Sequence, residues 1–249
     1  MKDSITRDKN NLIMRMCAYF FWFTIWQLIG HYLDNELLLP MPITVIRTLL
    51  SMMGNSVFYI TVLNTFLRII LGFLISCIVG ILLSILSYNF VFIRILLSPL
   101  ISFIKSTPLA SIIILTLVWV KSSNLSIFIA FFVVLPTVYT NMLKGLDNAD
   151  QKLLEMAQVF RVNKYKKVRY IYLPTIKPYL IAAFNVSLGF CWKAGIAAEV
   201  IGLPQNSIGE ALYSAKIYLN TPELFAWTLF IILISASFEK FFITFMKKI

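Results

Sequence analysis

Two sets of residues have the types and spacing to do chemistry. One is a polar, basic stretch from Glu155 to Pro174, EMAQVFRVNKYKKVRYIYLP, set between apolar runs and carrying Arg161, Lys164, Lys166, Lys167 and Arg169, with Lys152 just upstream. An insert of this kind lies in water, and its cations put it on the cytoplasmic side of a membrane. There it offers either a docking surface for a partner protein or a basic segment drawn to anionic lipid. The other set is Arg68, Lys105, Lys193 and Glu199, four ionisable residues embedded in apolar runs. A cation at the bilayer centre costs about 2.5–3.5 kcal/mol even on lenient insertion scales, so each must face protein or water. One acid cannot neutralise three cations. Lys193 and Glu199, six residues apart, point to different faces of one helix. The excess positive charge either lines a path for an anion or is absorbed locally, with Arg68 and Lys105 bonding to carbonyls freed by Pro99 and Pro108 or snorkelling to an interface.

Catalysis has little to work with. His31 is the only histidine, so no two-histidine metal site exists, and Ser76, Ser84 and Ser187 have no histidine partner in the spans. Cys17, Cys77 and Cys191 sit inside apolar runs without metal-like spacing and read as small apolar residues. The 22 Lys and Arg against 11 Asp and Glu do not mark a nucleic-acid binder, because they gather at the ends of apolar runs rather than on one soluble face.

The elements that must position these residues are membrane helices. Of 249 residues, 59% are hydrophobic and 13% charged, with a mean hydropathy of +0.84, whereas soluble domains carry about 25% charged residues. The chain reads as an all-α polytopic membrane protein with six spans and both termini cytoplasmic. A basic tail with Lys2, Arg7, Lys9 and Arg15 leads into CAYFFWFTIWQLIG, an uncleaved first span because no small-residue cleavage site follows. An outside segment over 31–56 holds Asp34, Glu36 and the Leu39-Pro40-Met41-Pro42 element, whose alternate prolines predict an extended turn.

The second span covers 57–86. A short turn ending at Arg94 follows, then a third span over 95–120 that Pro99 and Pro108 should kink. The fourth covers 125–143 with Pro136 inside it, the fifth 179–201 and the sixth 224–245, closed by Lys247-Lys248. The middle of the 202–223 segment is expected to form a short amphipathic helix. On this topology only Arg47, Lys121 and Lys216 lie outside and, apart from Lys240 near the inner end of the sixth span, only Arg68, Lys105 and Lys193 lie within spans, which disfavours the reverse orientation. Residues 1–56 are read as tail, first helix and outside segment, and 57–249 as the core transmembrane domain with a cytoplasmic loop at 145–177. Gly72, Gly80 and Gly189 are read chiefly as helix-packing positions, and Trp192 and Trp227 as interfacial or packing aromatics.

The spacing in the basic insert resembles a known family. Glu155, Ala157, Ile171, Leu173 and Pro174 match the EAA loop of ABC importer permeases (Glu-Ala-Ala, three residues, Gly, nine residues, Ile, one residue, Leu-Pro) without a gap. Met156 replaces the first Ala and Arg161 the Gly, so a side chain stands where a tight turn favours φ > 0 at a cost of roughly 1 kcal/mol; Asn163 is available to take the left-handed conformation instead. CWKAGIAAEVIGLP, GEALYSAKIYLNTPELFAWT, LPMP and LNTFLRIILGF are similar to the nitrate, sulfonate and taurine (SsuC/TauC-like) group of these permeases.

The resemblance implies a MetI-like ABC importer permease architecture in a prokaryotic cell membrane. It implies two ATPase subunits, an extracytoplasmic solute-binding protein meeting the LPMP and 202–223 segments, a second copy of the chain, and alternating access for a small anion. Glu155, Met156, Ala157, Phe160, Arg161, Tyr165, Leu173 and Pro174 would then form the ATPase-docking element, with Leu154 adding apolar contact. Arg68, Lys105, Lys193 and Glu199 are the path candidates. The chain has no GxxxxGK[ST] loop, so ATP and Mg²⁺ are expected on the partner and no cofactor on this chain. The competing readings are an ion-coupled secondary transporter or channel, which would want more intramembrane acids or paired repeats, and an intramembrane enzyme.

Overall fold

The computed structural model describes residues 2–33 and 35–248, with side chains described for 14, 16–33 and 35–246. The expected roles of Lys2, Arg7, Lys9, Arg15, Asp34, Lys247 and Lys248 therefore lie outside the described residues. The elements described are helical: α1 (Lys2–Leu33), α2 (Pro42–Met53), α3 (Ser56–Asn89), α4 (Val91–Ser106), α5 (Leu109–Thr116), α6 (Ser122–Asp147), α7 (Gln151–Val159), α8 (Lys164–Lys167), a π-helical turn over Val168–Tyr172, α9 (Leu173–Gly202), α10 (Ile208–Ile217) and α11 (Thr221–Lys248). The all-α membrane architecture is as expected. Among the described residues four helical runs are long and apolar enough to cross a membrane, namely α3, α6, the continuous run Lys164–Gly202 and α11, and the pair α4–α5 makes a fifth if counted as one span. The expected first span falls within α1 and does not join that group.

Three expectations change. The third span is broken rather than kinked, since α4 and α5 meet at 104°. Pro108 forces Thr107 into the extended region (φ −78°, ψ 131°), whereas Pro99 stays inside α4. The extended turn expected over Leu39–Pro42 holds at Pro40 and Met41 but not at Pro42, which starts α2 because its fixed φ and missing N–H suit a first helical position. The 145–177 loop is itself largely helical, and the helical run that carries the fifth span begins at Lys164. The short helix expected within 202–223 is α10.

The chain forms two compact units. One comprises Met1–Tyr59 and Ala211–Ile231. Within it Phe58 stacks on Trp227 and meets Phe230 edge-on, both at 4.9 Å. Trp26 donates its indole N–H to Pro40 O (3.1 Å), and the Thr221 hydroxyl donates to Leu37 O (2.9 Å).

The other unit, Ile60–Glu210 with Ile232–Ile249, holds the residues singled out above. Its core joins α5, α6 and α9 through Ile112, Ile113, Leu125, Ile129, Ala194 and Ala198. α3 lies close on α6 because Gly72 has no side chain to strike Ile127 O and Ala130, and Gly80 rests on Val138. Gly195 of α9 likewise receives Ile69 of α3. Phe73, Phe184 and Phe242 interlock edge-to-face, and Trp192 packs among Phe66 and Phe238, so both tryptophans singled out are packing residues. Gly189 differs, since a methyl group there would meet nothing within 4 Å.

This contrast predicts a graded response. Gly72→Ala should destabilise the purified protein by about 1–3 kcal/mol through overpacking, while Gly189→Ala should change stability by less than about 0.5 kcal/mol. Thermal unfolding in detergent, read by intrinsic fluorescence, checks both.

Candidate functional site

At the α7 end of the larger unit, Asp150 caps α7 by accepting from Lys152 N–H (2.9 Å). The helix ends in a Schellman arrangement: Val162 N–H donates to Ala157 O (2.9 Å) and Arg161 N–H to Gln158 O (3.1 Å), with Arg161 at φ 49°. The turn is thus built as a glycine would build it, on an arginine. Asn163 does not relieve it; at φ −55° it caps α8 instead, accepting from Tyr165 N–H (3.3 Å).

Where α6 ends and α9 starts, Met142, Leu146 and Ile176 pack with Tyr88 and Tyr172, whose hydroxyls lie 3.3 Å apart. Arg94 grips Asp147 through two hydrogen bonds of 2.8 and 3.2 Å. Gly145 lets the α9 backbone approach at Ile176. The end of α6, from which the chain passes into α7, is therefore packed and ion-paired.

Its outward face differs from expectation in two places. Ala157 is 2% exposed and Leu154 half-buried, so both support the helix rather than offer surface. Val159, which the spacing did not single out, is 78% exposed beside Phe160 at 74%. Met156, Tyr165, Leu173 and Pro174 are also exposed, as is Glu155, which makes no ion pair among the described residues.

The four intramembrane charges separate into two pairs. Glu199 is fully buried and its carboxylate is surrounded. Thr65 donates its hydroxyl to Oε2 (2.7 Å), Ser126 donates to Oε1 (3.3 Å), Gly209 N–H donates to Oε2 (3.4 Å), and the Arg68 guanidinium lies 3.6 Å from Oε1. Arg68 also donates to Gln205 O (3.5 Å), so it uses neither carbonyl freed by the prolines of the third span. Thr65 accepts from Ile208 N–H (2.9 Å), and Asn64 donates to Asn206 O (3.3 Å). The segment following α9 turns sharply, with Leu203 at φ 47° and Asn206 at φ 52°, and brings Gly209 against Glu199 so tightly that a Cβ there would overlap its backbone. This latch joins α3, α6, α9 and the start of α10. The sequence carried a faint signal for it in Asn64, Thr65 and Arg68, which share one face of a helix otherwise apolar on that stretch.

Lys105 and Lys193, from α4 and α9, converge on a different place. Both line a cavity of about 320 Å³ with Thr107, Phe132, Pro136 and Phe190 among its walls and no acid among its lining residues. The Lys105 ammonium donates to Thr140 Oγ1 (3.4 Å), whose own proton goes to Pro136 O (2.7 Å). Lys193 is exposed and makes no hydrogen bond or ion pair among the described residues. No group of three or more potential metal ligands occurs among the described residues.

Residues 72–248 match the family model described as binding-protein-dependent transport system inner membrane component. A Bacillus subtilis protein named as an aliphatic sulfonates transport permease, SsuC, is 25% identical over 205 residues, which cover 81% of this chain and 74% of that one. The nitrate import permease protein NrtB of Synechococcus elongatus is 24% identical over 202 residues, 77% of this chain and 72% of its own length. The bicarbonate transport system permease protein CmpB of the same species is 28% identical over 149 residues, 59% and 54% respectively.

Two substitutions probe the geometry. Arg161→Gly should relieve the left-handed strain and stabilise the protein by about 1 kcal/mol, a rise of about 2–4 °C in Tm. Glu199→Ala strands the Arg68 charge and should cost about 3–5 kcal/mol, much of it recovered when Arg68→Met is added. Thermal unfolding of the single and double variants reads both effects.

Proposed function

Because the chain belongs to the family of binding-protein-dependent transport system inner membrane components, and is a multi-pass protein of the prokaryotic cell membrane, we propose that it is the path-forming permease subunit of an ATP-driven importer of a small anion. ATP hydrolysis, with its Mg²⁺, takes place on a separate ATPase subunit, and this chain performs no chemistry of its own. A solute-binding protein delivers the anion from outside. Two copies of the chain enclose the path, with two ATPases below, and both termini are cytoplasmic.

The observation that carries this reading is the exposed apolar edge of α7 and the turn after it, formed by Met156, Val159, Phe160 and Tyr165, which follows in the chain on the end of α6 that the Arg94–Asp147 pair holds. A short helix presenting such an edge fits a groove on a partner, and exposed Glu155 adds a carboxylate for a partner cation. Movement imposed on the turn passes through α8 and the π-helical turn into α9, which runs without a break for 30 residues, about 45 Å at 1.5 Å per residue. The far end of that helix is the Glu199 latch. Closure of the ATPases thereby reaches the opposite side of the membrane through one helix.

The anionic character of the cargo rests on Lys105 and Lys193 meeting at one cavity, while Arg68 is neutralised by Glu199. Proteins similar to this chain are named for sulfonate, nitrate and bicarbonate transport, and all three solutes are anions. A proton relay through Glu199 is disfavoured, because that carboxylate is engaged on every side.

Disrupting the edge tests the docking. Glu155→Lys combined with Phe160→Asp should abolish co-purification of the ATPase while leaving Tm of the isolated permease unchanged, since both side chains are exposed. A complex that survives both substitutions and still transports would rule the docking surface out.

A further inference from the structure

The cavity between α4, α6 and α9 is not simply cationic. Lys105 and Lys193 supply its charge, but Ile104, Leu109, Ile112, Phe132, Val133 and Phe190 make up most of the remaining wall. We infer that it seats an amphiphilic organic anion, with a single anionic head between the two lysines and an apolar body along the α5–α6 wall and Phe190. This inference rests on the anion reading of the path and narrows it.

Two features argue for an organic rather than an inorganic anion. The first is size. A space of about 320 Å³ holds roughly ten water molecules, so an inorganic oxyanion of four atoms would leave most of it wet and the aromatic and branched walls facing water. Drying that apolar surface is the larger source of binding free energy, and only a ligand with carbon to bury can collect it. Binding sites for organic ligands have this make-up, mostly apolar with a few placed polar groups.

The second is the disposition of charge. Lys105 is steadied by Thr140, whose hydroxyl proton is committed to Pro136 O, so the ammonium keeps two donors for a ligand. Lys193 has no partner among the described residues and keeps all three. The lining includes no carboxylate, and the single acid of α9 is sealed in the latch. An anionic head thus meets five open donors with no opposing charge.

The test uses the purified full-length chain in detergent and titration calorimetry with methane-, propane- and butanesulfonate, sodium nitrate and n-butanol. Each methylene buried on the wall should tighten binding about fourfold, so butanesulfonate should bind well over tenfold more tightly than methanesulfonate. Nitrate should resemble methanesulfonate or be weaker. Phe190→Ala should flatten the chain-length dependence while leaving methanesulfonate binding unchanged. Lys193→Met should weaken every sulfonate at least tenfold, and Lys193→Arg should restore binding, with unchanged Tm in each variant showing that the fold persists. Affinity that is independent of chain length, or nitrate binding as tightly as butanesulfonate, overturns the organic-anion assignment and leaves the anion path standing. Butanol binding as tightly as butanesulfonate, with Lys193→Met silent, overturns both.

Discussion

A carboxylate with no access to water inside a membrane span must be paired, and Glu199 sets the terms for the larger unit. Burying it alone would cost several kcal/mol, and its attraction to Arg68 offsets that cost only when hydrogen bonds satisfy the remaining lone pairs. Thr65, Ser126 and Gly209 N–H provide those bonds, which requires α3, α6, α9 and the start of α10 to meet at one point. The close approaches elsewhere follow the same helices: Gly72 on α6, Gly195 receiving Ile69, and Gly209 against Glu199 itself. A Cβ at Gly209 or Gly72 would push apart helices that the carboxylate needs together.

The continuous helical run Lys164–Gly202 that carries the latch also begins just after the α7 turn. α9 is anchored at its start by Ile176 within the Met142–Leu146 cluster, and at its end by Glu199. Its middle faces the Lys105–Lys193 cavity. In the proposed reading the docking edge lies just upstream of this run, and the path and the latch are stations along it. Strain has been retained at both ends, with Arg161 at φ 49° and Leu203 at φ 47°. These turns are fixed by their hydrogen bonds, Val162 N–H to Ala157 O and Leu203 N–H to Glu199 O, rather than by residues that prefer the conformation.

The intramembrane cations illustrate how identical sequence signals diverge. Arg68 and Lys193 both read as a basic residue in an apolar run. Arg68 sits on the helix face that meets Glu199 and is neutralised there, as suits a guanidinium able to bond a carboxylate and a carbonyl together. Lys193 is six residues from the same acid but on another face, and opens into a cavity. Spacing along α9 was enough to separate Lys193 from Glu199. It could not bring in Arg68, because that contact joins residues 131 positions apart in sequence, and periodicity within one helix carries no information about its neighbours.

By itself the sequence determined the class of molecule and the position of its helical runs, since apolar length and the clustering of Lys and Arg depend only on local composition. It also located the α7 turn through the spacing of Glu155, Arg161 and Leu173-Pro174, and the strain at Arg161 was legible because φ > 0 is a local property of one residue. Tertiary structure decided what each polar residue meets. It turned Ala157 inward and Val159 outward, broke the third span at Thr107-Pro108, assigned Arg68 and Glu199 to each other, and brought Lys105 and Lys193 to one cavity. Each of these is set by which helix lies alongside, a choice made by close packing at glycines and by the demand of one buried carboxylate for partners on three other elements.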